Sequence, residues 1–377
     1  MSYNRRLAYF LMVTLPDDLP MNSAPDAKDG LAPRHDALQQ VRDTPHSPRP
    51  LPLFLELVRQ HGARHPDEAR QALAGLEAYN AAPRIKRRPP PPVVASIGGS
   101  CLRSHGGDGP PLLLVPSLIN PPHILDLDSD TSLAAALTAS RHVLLLDWGK
   151  AEARTDLSIA GHIESILVPL IEGLGEPPAL LGYCLGGTMA IAAAGLTRID
   201  RLATLAAPWH FAAYPEQSRA ALARIWDGAR GPSASLGALP MEVLQAAFWA
   251  LDPARTVAKF AAFANFDPAS DDARRFIMLE DWANEGEPLP LAAARELIED
   301  LFGADLTGRG QWRVGGQAAS ERAVVSALHL IAANDQIVPA PTAPYGTVVP
   351  IASGHVGMIV GRARHALHAE LNAFFAD

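Results

Sequence analysis

Cysteine is nearly absent from this chain: Cys101 and Cys184 are the only two among 377 residues. Two cysteines cannot build a disulfide framework, so the fold has to rest on its apolar core, and a reducing, cytoplasmic setting is expected. A basic excess is missing too. Lysine and arginine number 32 against 40 acidic residues, giving a net charge of −8, which leaves no electrostatic footprint for nucleic acid. No apolar run approaches the ~20 residues that cross a bilayer, so no transmembrane segment is expected. Arg5-Arg6 before Leu7 to Val13 imitates a secretory leader. The run is short, acidic Pro16-Asp17-Asp18 follows, and no small-residue cleavage site comes next, so it is not read as one; Met21 is an alternative start. Clustered Cys/His spacing and a glycine-rich phosphate loop are also lacking, so neither a metal nor a nucleotide cofactor is expected.

What is present is a chain with 48% apolar residues, enough for one large core plus an insertion. Residues 1–49 are polar and rich in proline and aspartate, which predicts disorder. Residues 50–92 hold a helical segment, with Ala69, Ala72, Leu73 and Leu76 at helical spacing, then a spacer with four prolines at Pro89 to Pro92. Strands are predicted at Val93–Ile97, Leu112–Val115, Val143–Leu146, Ala179–Leu181, Leu202–Leu205, Ala327–Ala332 and Thr347–Pro350. They alternate with helical patterns, which argues for an α/β fold with a mostly parallel sheet flanked by helices. The core is expected over 93–211 and 323–377, interrupted by a helical cap over 212–322. The apolar cap segments Leu239 to Leu251, Phe260 to Phe266 and Leu289 to Phe302 would either pack or bind an acyl chain.

The chemistry centres on Gly182-Tyr183-Cys184-Leu185-Gly186-Gly187. An apolar strand precedes it and an alanine-rich helix follows, the context of a nucleophile elbow whose glycines permit a sharp strand-to-helix turn. The central residue is cysteine. Such a nucleophile needs a base, and the base a carboxylate to hold its tautomer, in the chain order nucleophile, acid, histidine. Asp335 lies just past a predicted strand, and His355 in Ser353-Gly354-His355 follows the next. Asp147 also follows a strand but precedes the nucleophile. His210 falls where it could line the cleft, a question the sequence leaves open for it and for His123, whereas His365 and His368 lie too far along the last helix. Trp209 reads as packing more readily than as a substrate contact.

The chain resembles the polyhydroxyalkanoate synthases, acyltransferases of the α/β-hydrolase superfamily, over about residues 50–375. The residues that carry the resemblance are the elbow through Thr188, Val115-Pro116-Ser117-Leu118-Ile119-Asn120, Ile124-Leu125-Asp126-Leu127, Asp147-Trp148-Gly149, Leu279-Glu280-Asp281-Trp282, Asp335-Gln336-Ile337-Val338-Pro339 and Ser353-Gly354-His355. The chain departs from the family at Pro121-Pro122-His123 and at His210, which stand where a basic residue with tyrosine and an aspartate are usual. The resemblance implies that Cys184 is acylated by a 3-hydroxyacyl-CoA, a substrate rather than a cofactor, that His355 is the general base and that Asp335 orients it. It further implies backbone N–H groups of Leu185 and, within a residue, Ile119 as the oxyanion hole, a growing polyester as partner with a second synthase subunit or a homodimer, and association with polyester granules. An esterase, thioesterase or depolymerase would use the same residues, and a non-catalytic subunit remains a third reading.

Overall fold

The computed structural model describes residues 46–83, 85–322 and 326–376. Residues 1–45 of the expected disordered segment lie outside the described residues. Two compact units emerge, one of residues 46–85 with Ala254–Ile277, the other of Lys86–Pro253 with Met278–Asp377. The middle of the expected cap therefore groups with the amino-terminal helices, and its flanks with the sheet.

The smaller unit is built on helices α1 (Leu51–Gly62) and α2 (Pro66–Ala81), each with proline in its first turn, where the missing N–H costs nothing. Gly75 is required by close approach: a Cβ there would fall 1.9 Å from the Phe260 carbonyl oxygen. Phe54 and Phe260 meet at 4.6 Å between ring centroids, and Phe263 stacks on Phe276 at 4.1 Å. His61, His65 and Glu68 bring one donor atom each within 4.8 Å of one another, a grouping that their sequence spacing does not advertise. His61 Nε2 lies 2.7 Å from Glu68 Oε2, so these two are paired with each other.

The larger unit is organised by an eight-stranded sheet: β1 (Val93–Ile97), β2 (Ser100–Gly106), β3 (Pro111–Val115), β4 (His142–Asp147), β5 (Ala179–Tyr183), β6 (Leu202–Leu205), β7 (Ala327–Ala332) and β8 (Thr347–Ile351). Their spatial order is β1-β2-β4-β3-β5-β6-β7-β8. Pairs involving β2 are antiparallel and the rest parallel. Every residue of β3 and of β5 is buried, as strands covered on both faces require. Sequence periodicity does not reveal β2, because Ser100, Arg103, Ser104 and His105 dilute its apolar content. It is nonetheless folded back on β1 by Gly98 and Gly99, at φ +56° and +85°.

Helix α3 (Leu185–Ala194) follows β5 and is buried from Leu185 to Ala193, so its run of glycine and alanine reflects close packing rather than amphipathicity. Between β6 and β7, α4 (Glu216–Leu236), α5 (Met241–Leu251) and a π-helical turn at Glu296–Gly303 belong to the same unit as the sheet. No helix among the described residues is long and apolar enough to cross a membrane.

Candidate active site

Cys184 occupies the turn between β5 and α3 at φ 56°, ψ −130°, outside the regions open to most side chains. The turn is held by its own backbone, Cys184 N donating to Leu205 O at 2.9 Å and Gly187 N to Cys184 O at 2.8 Å. The strain rests on the cysteine, whereas the expectation placed the conformational burden on the glycines. The glycines serve proximity. A Cβ at Gly182 would lie 2.4 Å from the Gly187 Cα, one at Gly186 2.2 Å from Val115 O, and one at Gly187 2.3 Å from the Ala207 Cβ.

Asp335 and His355 arrive on neighbouring loops beyond β7 and β8, tied together by Ala333 N donating to Ile351 O at 2.8 Å and Asn334 N to Ser353 O at 2.9 Å. One Asp335 oxygen accepts from the N–H groups of Ile337 and Val338, at 2.8 and 2.9 Å. The other lies 2.7 Å from His355 Nδ1. Both carboxylate oxygens are thereby engaged, and the imidazole is fixed with Nδ1 toward Asp335. His355 and Cys184 line the same cavity, and with Nδ1 engaged by Asp335 the nitrogen left for the sulfur is Nε2. The Tyr183 ring lies 5.1 Å from the imidazole and limits its rotation.

Burial is the largest single influence on His355 and pushes it down. The Cys184 charge and hydrogen bonds to Asp335 and to Cys184 overcome it, and the imidazole is raised to about 10. Tyr183 and Tyr214 are pushed well above the usual phenol range, first by burial and then by the charges of Cys184 and Asp335.

The loop after β3 runs past Cys184 and is anchored by two indoles. Trp148 Nε1 donates to Pro116 O at 3.0 Å, and Trp282 Nε1 to Pro121 O at 2.9 Å. Leu185 opens α3, so its N–H is among those a helix leaves without an intrahelical acceptor. Ile119 lies beside Cys184, but its N–H is donated to Ser117 Oγ at 3.2 Å.

Two cavities reach Cys184. One of about 160 Å³ is lined by Ser117, Asn120, Gln245, Trp282 and His355 among others. Another of about 270 Å³ lies against Tyr214, α4, α5 and the π-helical turn. Neither includes His123 or His210. His210 lies elsewhere: its Nε2 is 3.2 Å from Glu321, and its ring packs on Tyr345 at 4.3 Å. His123 is held neutral, brought down to about 3 by burial and then by the Arg87 charge. Trp209 is buried and packs edge-on against Trp312. Asp147 binds Arg103 at 3.1 Å and caps the Gly149 N–H at 3.0 Å, a bracing role. Gln245 and Phe248, within the Leu239 to Leu251 segment, line the cavities, and so does Tyr214, which no sequence signal singles out.

No protein-family model matches the chain. Curated relatives do. It is 26% identical over 293 residues to the poly(3-hydroxyalkanoate) polymerase subunit PhaC of Haloferax mediterranei, covering 71% of this chain and 58% of that protein. To the same subunit of Allochromatium vinosum it is 26% identical over 275 residues, covering 67% and 77%. The chain thus spans 58% of the length of the first relative and 77% of the second. Among solved structures, the enol-lactonase from Burkholderia xenovorans has a TM-score of 0.44 at 16% identity, over 75% of this chain and 99% of that one. The epoxide hydrolase of Bacillus megaterium has a TM-score of 0.49 at 13% identity, over 75% and 99%. The chain thus joins a mostly parallel eight-stranded sheet, with a nucleophile elbow after β5, to a sequence similar to the polyhydroxyalkanoate polymerase PhaC subunits.

Proposed function

We propose that this chain is an acyltransferase of the polyhydroxyalkanoate synthase type, which moves 3-hydroxyacyl groups from coenzyme A through a covalent thioester on Cys184. The observation that carries the reading is the contact of Cys184 with a His355–Asp335 pair at a point where two cavities meet.

In the first half-reaction the Cys184 sulfur attacks the thioester carbonyl. The C–S bond to coenzyme A breaks, and the leaving thiolate takes the proton held at His355 Nε2. One thioester replaces another at little free-energy cost, so the acyl group stays activated, where a serine ester would trap it. In the second half-reaction the 3-hydroxyl of an incoming acyl group attacks the acyl-Cys184 carbonyl, its proton passes to His355, and the Cys184 thiolate is released. Asp335 keeps the tautomer and stabilises the imidazolium. Negative charge on each tetrahedral intermediate falls to the Leu185 N–H and to Ile119, once its N–H turns from Ser117.

The acyl-CoA is a substrate, and the reading needs no further cofactor. A cytoplasmic enzyme at a polyester granule, paired with a second subunit or a second copy of itself, fits such a product. Product analysis tests the proposal: purified protein incubated with 3-hydroxyacyl-CoA should release thiol and form oligomer. Stoichiometric free 3-hydroxy acid without oligomer would make the chain a thioesterase, with water in place of the hydroxyl.

A further inference from the structure

The two cavities that meet at Cys184 differ in size. The smaller holds Ser117, Asn120, Gln245 and His355 among mostly apolar neighbours such as Ile124, Phe248 and Trp282. The larger has no charged side chain in its lining. Phe211, Leu222, Ile225, Ala247, Leu297 and Phe302 form much of its wall. Water in such a space finds few hydrogen-bond partners, so an alkyl chain displaces it favourably.

Size sets the length of that chain. At roughly 30 Å³ for a water-sized group, a cavity of about 270 Å³ has room on the order of nine such groups. The side chain of a 3-hydroxybutyryl group is one methyl and would leave most of it unfilled. We infer, resting on the acyltransferase reading, that this cavity receives the alkyl side chain of the acyl group, and that the preferred substrates are medium-chain thioesters, from 3-hydroxyhexanoyl- to 3-hydroxydecanoyl-CoA. With the carbonyl carbon at Cys184 Sγ, the substituent on C3 enters the larger cavity, and the coenzyme A sulfur leaves on the side of His355.

The test is kcat/KM for thiol release with 3-hydroxybutyryl-, hexanoyl-, octanoyl-, decanoyl- and dodecanoyl-CoA, alongside mass analysis of the Cys184 peptide. Each buried methylene is worth up to about fourfold, so the octanoyl ester should exceed the butyryl ester by at least about tenfold. Ala247→Phe, which places a ring inside the cavity, should lower the octanoyl-to-butyryl ratio by about tenfold; Ala221→Leu serves if that variant does not fold. Equal or better use of the butyryl ester overturns the inference while leaving the acyltransferase reading intact. So does a length profile that Ala247→Phe does not change while it shortens the product, which would give the cavity to the growing polyester. Absence of thiol release and of Cys184 labelling at every length overturns the acyltransferase reading, and this inference with it.

Discussion

His355 Nδ1 lies 2.7 Å from Asp335 Oδ2, and the second oxygen of that carboxylate is already committed to the backbone N–H groups of Ile337 and Val338. The carboxylate is therefore clamped before it meets the imidazole. Asp335→Asn is expected to keep the loop but present an amide to Nδ1, favouring the wrong tautomer, with a loss of about 10³- to 10⁴-fold in kcat. His355→Gln should fall at least as far. Steady-state thiol release measures both, and a loss below tenfold for Asp335→Asn would contradict the orienting role.

The raised imidazole ties the pair to pH. Because His355 is raised to about 10 when folded, against about 6.5 unfolded, the native state holds the extra proton between those values. Its contribution to stability is full below about pH 6.5 and lost as pH rises through about 10. The difference in urea midpoint between the wild type and His355→Gln should shrink across that window. Cys184→Ala removes one of the raising charges, so an NMR titration of His355 in that variant should show a lower pKa; an unchanged value would contradict the coupling.

Gly186→Ala would set a Cβ 2.2 Å from Val115 O and 2.5 Å from Pro116 O, backbone atoms that cannot step aside. A cost of about 3 kcal/mol is expected, read by urea unfolding. Gly161→Ala is the contrast: it lies in a helical turn, and its Cβ would meet side-chain atoms no nearer than 3.5 Å. That change should stabilise by about 0.5–1 kcal/mol.

Trp282→Phe strips the Pro121 carbonyl of its indole donor while keeping most of the ring volume. Loss of a buried partner costs about 1–2 kcal/mol, and the freed loop carries Ile119. Thiol release should drop by about tenfold with little change in unfolding midpoint beyond that cost. Wild-type kinetics in this variant would separate the loop from the chemistry.

The central strands and the elbow were legible because their signals are local. Leu112 to Val115 reads as a buried strand, and the positions of Cys184, Asp335 and His355 at strand ends follow from the order of elements alone. β2 was not legible, since a strand only partly buried, next to the edge strand β1, tolerates Ser104 and His105. The cap resisted for a different reason. Its helices are apolar on several faces, and whether Phe248 packs or lines a cleft depends on tertiary placement. The same holds for the tryptophans of Asp147-Trp148-Gly149 and Leu279-Glu280-Asp281-Trp282. Their motifs were visible, but their shared task of anchoring the 116–122 loop appears only when the carbonyls of Pro116 and Pro121 are located.

The most direct measurement is peptide-resolved mass spectrometry of protein quenched in acid shortly after mixing with 3-hydroxybutyryl- and 3-hydroxyoctanoyl-CoA. The account predicts a 3-hydroxyacyl mass increment on the peptide containing Cys184, absent in Cys184→Ala, which should also release no thiol. Turnover with Cys184 unmodified, or with Cys184→Ala still active, would contradict it.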